Sequence, residues 1–241
     1  MAKQRMMRLF AKWHIWLGWL VGVPVLMWTV TGLVMVITPI EEVRGNHLRI
    51  EVPPTPLPSD TQIAVVLPAE GERPVRSVST QMERGETITR ITYMDGTSDR
   101  FRADGSQLSP LSNVEARMIV AKGIRGGDKV VATRQFDADD VPFDFRRPQP
   151  VWQVALADGT HVYVGTETGN IEAVRTRWWR TFDFMWGLHI MNLQTRELDD
   201  QSGFNYAMLV LFAALGVIGS LLGCVLMFRR RKARPVPLID K

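Results

Sequence analysis

Five side chains in this chain of 241 residues offer an imidazole nitrogen or a thiolate to a transition metal: His14, His47, His161, His189 and Cys224. A neutral imidazole nitrogen binds such a metal and also exchanges a proton near neutral pH. A single cysteine excludes an internal disulfide framework and a cysteine-based zinc site. The acidic residues Asp137, Asp139, Asp140 and Asp144 are spaced like no calcium loop and read as a solvated loop. There is no Gly-rich phosphate loop, no His-Glu-x-x-His, no nucleophile elbow and no flavin or nicotinamide fingerprint. The chemistry therefore rests with the imidazoles. His47 and His161 read as ordinary surface or hairpin residues, whereas His14 and His189 lie in apolar, tryptophan-rich surroundings.

The elements around these two histidines follow from hydropathy. Ile15 to Ile37 is a run of 23 residues without a charge, and Phe204 to Phe228 is a run of 25. About 20 apolar residues cross a hydrocarbon core about 30 Å thick, so each run predicts a transmembrane helix. The first is longer than a signal-peptide core and ends in Thr38-Pro39-Ile40-Glu41 without a small-x-small cleavage site, which favours an uncleaved anchor. Cys224 then packs within the second span. With 46% apolar and 22% charged residues overall, disordered and low-complexity classes are excluded.

Charge sets the expected orientation. Lys3, Arg5, Arg8 and Lys12 precede the first span, and Arg229-Arg230-Arg231-Lys232 follows the second. Residues 39–204 instead carry 19 basic and 24 acidic side chains. Basic residues flanking spans stay cytoplasmic, so both termini are expected inside and residues 39–204 outside. The sequence pI near 9.5 then reflects topology, and no nucleic-acid partner is implied.

The insert contains a repeat. Ile91-Thr92-Tyr93-Met94-Asp95-Gly96-Thr97 overlays Val154-Ala155-Leu156-Ala157-Asp158-Gly159-Thr160 at an offset of 63 residues. Asp-Gly between alternating runs predicts a hairpin, because both residues tolerate positive φ. The hairpins join 87–93 to 98–102 and 151–156 to 161–165, and further turns follow at Asp104-Gly105 and Thr168-Gly169. Asn113–Ile124 reads as a helix capped by Asn113 and ended by Gly123, with Ser59–Leu67 a weaker equivalent in the first copy. Trp178–Leu193 reads as an amphipathic interfacial helix with Phe182, Met185, Trp186, His189 and Leu193 on one face.

Taken as an ordered set, these pieces resemble the PepSY-associated transmembrane family. The resemblance rests on Trp13-His14-Ile15-Trp16-Leu17-Gly18 with Thr31-Gly32, on Pro150–Val174 with its Asp-Gly-Thr hairpin, and on Leu188-His189 ahead of the second span. It implies an α+β membrane protein in which two transmembrane helices flank an extracytoplasmic insert of two PepSY-like units. The expected divisions are a cytoplasmic N-terminus (1–12), transmembrane helix 1 (13–38), a Pro-rich linker (39–58), a first unit (59–112) and a second unit (113–175). An interfacial helix and connector (176–203), transmembrane helix 2 (204–228) and a basic tail (229–241) complete them. A bacterial inner membrane is the implied location.

Larger members resemble haem-bearing reductases of siderophore-bound iron, which implies haem b as cofactor with His14 and His189 as its iron ligands. At about 100° per residue, His14, Gly18, Gly22, Val25, Thr29, Gly32 and Val36 fall within an arc of about 80°. Such a stripe lets a flat porphyrin approach, and it serves equally as a helix-packing face. The two histidines sit at opposite edges of the bilayer and cannot share one iron. A homodimer through the Gly18/Gly22 and Gly219/Gly223 faces would pair each histidine with its own copy. Two functions are expected from this: a transmembrane electron-transfer subunit linked to ferric siderophore reduction or iron uptake, or a non-enzymatic anchor whose PepSY units bind a partner such as a protease or uptake receptor. In the first, electrons come from a quinone or a separate redox partner.

Overall fold

The computed structural model describes residues 2–51, 53–59, 62–64, 67, 73–197 and 202–230. In chain order these form helix α1 (Ala2–Ile37), a short helix α2 (Ile40–Val43) and a 3-10 turn (Asn46–Leu48). Strands β1 (Val75–Glu83), β2 (Glu86–Tyr93) and β3 (Ser98–Arg102) follow, then helix α3 (Asn113–Gly123). Strands β4 (Val130–Phe136), β5 (Val151–Leu156), β6 (His161–Gly165) and β7 (Ile171–Arg175) precede helices α4 (Arg177–His189) and α5 (Gly203–Arg230). The chain divides into two compact units, one built from residues up to Pro39 together with those from Thr181 on, the other from Ile40–Arg180.

In the helical unit, Gln4–Ile37 and Gly203–Phe228 are each long and apolar enough to cross a membrane. Trp19, Val23 and Val36 on α1 and Phe204 on α5 are all more than 70% exposed. In water that surface is a liability; against lipid tails it costs nothing, because the tails are as apolar as the side chains. Pro24 interrupts the backbone hydrogen bonding of α1. The hydroxyls of Thr29 and Thr31 donate back to the carbonyls of Val25 and Met27, both at 2.8 Å. These two hydroxyls are thus satisfied within the helix, as a bilayer requires, whereas the buried Trp28 indole N–H has no partner among the described residues.

The second unit holds two antiparallel sheets, β1-β2-β3 and β4-β5-β6-β7. The repeat is visible in their register. Ile91 pairs with Asp99 in the first sheet and Val154 with Val162 in the second, so the 63-residue offset carries one pair onto the other. Gly96 and Gly159 both take left-handed φ, 87° and 83°. In each turn an aspartate locks the following threonine: Asp95 Oδ1 accepts from Thr97 N at 2.9 Å, and Asp158 Oδ1 from Thr160 N at 2.8 Å. Each hairpin is preceded by another antiparallel strand, β1 or β4, whose first pairing is offset by a register shift. The copies diverge afterwards. Where the second continues into β7, the first keeps a single bridge, Phe101 to Gln107.

Helix α3 closes one face of the second sheet. Ala116, Val120 and Ile124 pack with Leu111, Val154, Val162, Val164 and Val174, all buried. Fully burying a side chain of this size contributes about 1.5–3 kcal/mol, so this layer holds the unit together. The N-cap is Ser112 rather than Asn113. Its hydroxyl accepts from Glu115 N while Glu115 accepts from Ser112 N, a reciprocal capping box that satisfies two otherwise orphaned donors. The helix ends at Gly123 as the sequence suggests. No matching helix forms over Ser59–Leu67 where that stretch is described: residues 59, 62–64 and 67 are non-helical, and its other positions lie outside the described residues.

Asp144 does not belong to a solvated loop. It accepts from Tyr163 Oη at 2.5 Å and from His161 Nδ1 at 3.2 Å, with Arg180 at 3.7 Å. His161 is therefore part of a polar network and not a plain hairpin residue. Burial alone would raise the Asp144 pKa, but the hydrogen bonds from His161 and Tyr163 and the Arg180 charge outweigh it and hold the carboxyl below its ordinary range. Burial and the neighbouring carboxylate push the Tyr163 phenol up, so it remains a donor to Asp144 at any physiological pH. A depressed carboxyl pKa stabilises the fold above the unfolded-state value, about 4, and that contribution disappears as pH falls through the folded-state value. Asp144→Asn should therefore be less stable than the parent at neutral pH, with the gap closing below about pH 4. Denaturation midpoints of both proteins across this range measure the effect, and a gap independent of pH would disprove the assignment.

Candidate functional site

His14 sits in the N-terminal half of α1 with its ring against α5. Its Nδ1 lies 2.9 Å from the carbonyl oxygen of Gly219. A carbonyl only accepts, so Nδ1 carries the proton, and in the neutral ring the lone pair is then on Nε2. Gly223 makes the approach possible, since a Cβ there would stand 2.9 Å from His14 Cε1. The same row of glycines receives the rest of α1: a Cβ on Gly219 would touch Leu17 at 3.7 Å, and one on Gly216 would touch Val25 at 3.6 Å. The Gly219/Gly223 face, expected to meet a second copy, is thus filled by α1 of the same chain. At Gly18 and Gly22 an added Cβ would meet nothing within 4 Å, so that face is open.

His189 is the last residue of α4, and its Nδ1 lies 2.9 Å from Thr31 Oγ1 on α1. Thr31 is buried and its single hydroxyl hydrogen is directed to the Met27 carbonyl at 2.8 Å. With that hydrogen on the carbonyl, the threonine oxygen accepts from His189 Nδ1–H and the lone pair is on Nε2; with the hydrogen turned to the ring, the tautomer is reversed. Gly32 supplies the notch, because a Cβ there would be 3.4 Å from His189 Cε1. His14 and Thr31 are separated by about 25 Å along a helix rising 1.5 Å per residue, so the two imidazoles are not brought together.

A short folded loop fixes His189. The helix expected to reach Leu193 stops at His189, and Leu193 lies in a turn beyond it. Met191 and Arg196 take left-handed φ of 54° and 56°. Asn192, fully buried, donates from Nδ2 to Thr195 Oγ1 at 2.8 Å and to the Glu197 carbonyl at 3.1 Å, while its backbone N–H reaches Gly187 O at 2.9 Å. Arg196 pairs with the buried Asp183, and Trp186 Nε1 donates to the Arg196 carbonyl at 3.1 Å. In sequence this stretch reads as a polar connector, and nothing beside Asn192 announces that its amide is buried. Thr31 stands out only as half of a Thr-Gly pair, not as the partner of a histidine 158 residues away.

The remaining candidates are simpler. His47 is exposed in the 3-10 turn, and Cys224 is exposed on α5. Among the described residues no three His, Cys, Asp or Glu side chains converge as a metal cluster. Both His14 and His189 have one ring nitrogen held against a protein oxygen, so the other nitrogen would be the one to meet a metal. Metal-ligating histidines almost always have their second nitrogen bound in this way. Each residue would supply a single imidazole nitrogen to a cofactor metal, one toward either end of α1.

No curated protein and no solved structure shows significant similarity to the chain. The family model described as the PepSY-associated TM region matches residues 11–240, which takes in both long helices, the two sheets and both histidines. With two membrane-crossing helices flanking paired antiparallel sheets, and with a match over nearly its whole length, the chain belongs to the PepSY-associated transmembrane family.

Proposed function

We propose that this membrane protein is a haem-b-binding electron-transfer subunit of the bacterial inner membrane, with both termini cytoplasmic and residues 39–204 periplasmic. The observation that carries the reading is the matched state of the two imidazoles. His14 and His189 each place Nδ1 2.9 Å from a protein oxygen, which would leave Nε2 as the ligand atom. A haem iron held by two imidazoles is low-spin and suits electron transfer rather than oxygen chemistry. This chain's part is to hold the rings: the Gly219 carbonyl and Thr31 fix the tautomers, and Gly223 and Gly32 admit the rings against the helices. Because each end of α1 offers one imidazole, the second ligand comes from another copy across the open Gly18/Gly22 face or from a redox partner. Electrons would run from a quinone or that partner toward ferric ligands outside, in iron uptake.

The absorption spectrum of the detergent-purified protein, oxidised and then dithionite-reduced, tests this. A Soret band with reduced α and β bands is expected. Protein made with ample haem and lacking a Soret band would leave the alternative, a non-enzymatic anchor. That alternative has an observation of its own, since β1 is an edge strand whose outer side has no ladder partner among the described residues, and such edges accept an added strand.

A further inference from the structure

The Ile40–Arg180 unit contains an open cleft of about 690 Å³ that none of the foregoing uses. Its walls are the β1–β2 turn at Arg84, the C-terminal half of α3 at Ile119 and Lys122, the start of β7 at Ile171, and Arg49. Two carboxylates also line it, and both are neutralised from outside. Glu83 is bound by Arg90 at 2.8 Å with both side chains largely buried. Glu172 accepts from Thr168 Oγ1 at 2.6 Å and faces Arg147 at 3.5 Å.

Among the described residues the exposed cations of the lining form no close ion pair, although the carboxylate of Glu115 is near enough to Arg84 to interact with its charge. The Arg49 guanidinium donates to a neutral carbonyl, Ile171 O at 3.1 Å. Arg84 and Lys122, both exposed, have no carboxylate within ion-pair distance among the described residues. Behind them Arg100 is buried beside Gly169, another residue of the lining, and its guanidinium donates to the Ser109 carbonyl at 3.3 Å. Two of the carbonyls at the end of α3 are already taken: Gly123 O accepts from Ile50 N at 2.8 Å and Val120 O from Ile124 N at 3.0 Å. The cleft therefore combines a positive rim with an apolar floor of Ile119 and Ile171, set in an insert whose net charge is negative. Its volume lies within the range of small-molecule sites.

We propose that this cleft binds a small organic dianion, with its carboxylates on Arg84 and Lys122 and its apolar body on Ile119 and Ile171. Nothing in this depends on haem. Isothermal titration of the full chain in detergent with phthalate, and separately with succinate, tests it. Phthalate should bind more tightly than succinate, which has the same charge but no ring. Arg84→Asn and Lys122→Gln should each weaken phthalate binding about tenfold, the loss of one charge-assisted contact. Asparagine is chosen at Arg84 because the backbone there has φ 56° and asparagine tolerates it. Arg76→Gln, on exposed β1 away from the cleft, should bind like the parent. Raising salt from about 50 to about 300 mM should weaken binding, because exposed charges are screened. The proposal is overturned if phthalate shows no binding up to about 10 mM, well above the range of specific ligands. Equal affinities for the two dianions, or parent-like binding by the Arg84→Asn/Lys122→Gln double variant, would overturn it too.

Discussion

His189→Ala protein, purified with ample haem, should lose about half of its Soret absorbance while the remainder keeps the position and redox behaviour of the parent; His14→Ala should lose the other half. Independence is the informative part. The imidazoles contact α1 at points about 25 Å apart, more than any single iron can bridge. Each ring is also held by a separate acceptor, Gly219 O for His14 and Thr31 Oγ1 for His189, so neither substitution disturbs the other's support. His47→Ala and His161→Ala serve as controls, since His47 is exposed and His161 is committed to Asp144. If either single variant abolishes all absorbance, the two-centre arrangement is wrong. A spectrum unaffected by both would assign the haem to other ligands.

Thr31→Val should weaken haem at the His189 end by about 10- to 100-fold and leave the His14 centre intact, the usual cost of losing the partner of a ligating histidine. Valine copies the shape of threonine but accepts no hydrogen bond. In the variant, His189 Nδ1–H would face an apolar surface, and the ring could relieve that by flipping or by moving its proton to Nε2, the atom needed for the iron. Thr31→Ser keeps the oxygen and should retain most of the affinity, which separates a hydrogen-bonding role from a packing one. Haem titration into the apoprotein measures both variants, and ¹⁵N shifts of His189 without haem report the tautomer directly. A threonine-like tautomer in Thr31→Val would refute the positioning role even if haem is never bound. At the other end the acceptor is a backbone carbonyl, so the matching probe is Gly223→Ala, whose Cβ would stand 2.9 Å from His14 Cε1 and displace the ring.

The two imidazoles differ in how they are supported. His14 depends on close approach of two long helices, which three glycines on α5 permit. His189 depends on a folded loop, in which a buried asparagine and a buried ion pair fix the end of α4. The loop includes two non-glycine residues at positive φ, a conformation that persists only when its surroundings hold it.

Features that depend on neighbours in the chain are legible in the order of residues alone. Two uncharged runs are long enough for a bilayer, and Asp-Gly pairs between alternating segments make hairpins because glycine accepts φ near +85°. Both are local properties, and they suffice to place the two long helices and the repeated turns at Gly96 and Gly159. The β1–β2 turn is not legible in this way, because it is made by Arg84-Gly85, and arginine gives no sign that it will adopt φ 56°. The cap of α3 falls one residue from its expected place for a similar reason: Ser112 and Asn113 are both good caps, and the reciprocal bond with Glu115 selects the serine. Which nitrogen of each histidine is held, and which is free, is settled by packing between distant segments. The partners of those nitrogens are Gly219, 205 residues from His14, and Thr31, 158 residues from His189. The same packing turns Asp144 from a loop carboxylate into the centre of a network with Tyr163, His161 and Arg180. A hydrogen bond is chosen by distance and direction in space, and no spacing along the chain encodes either.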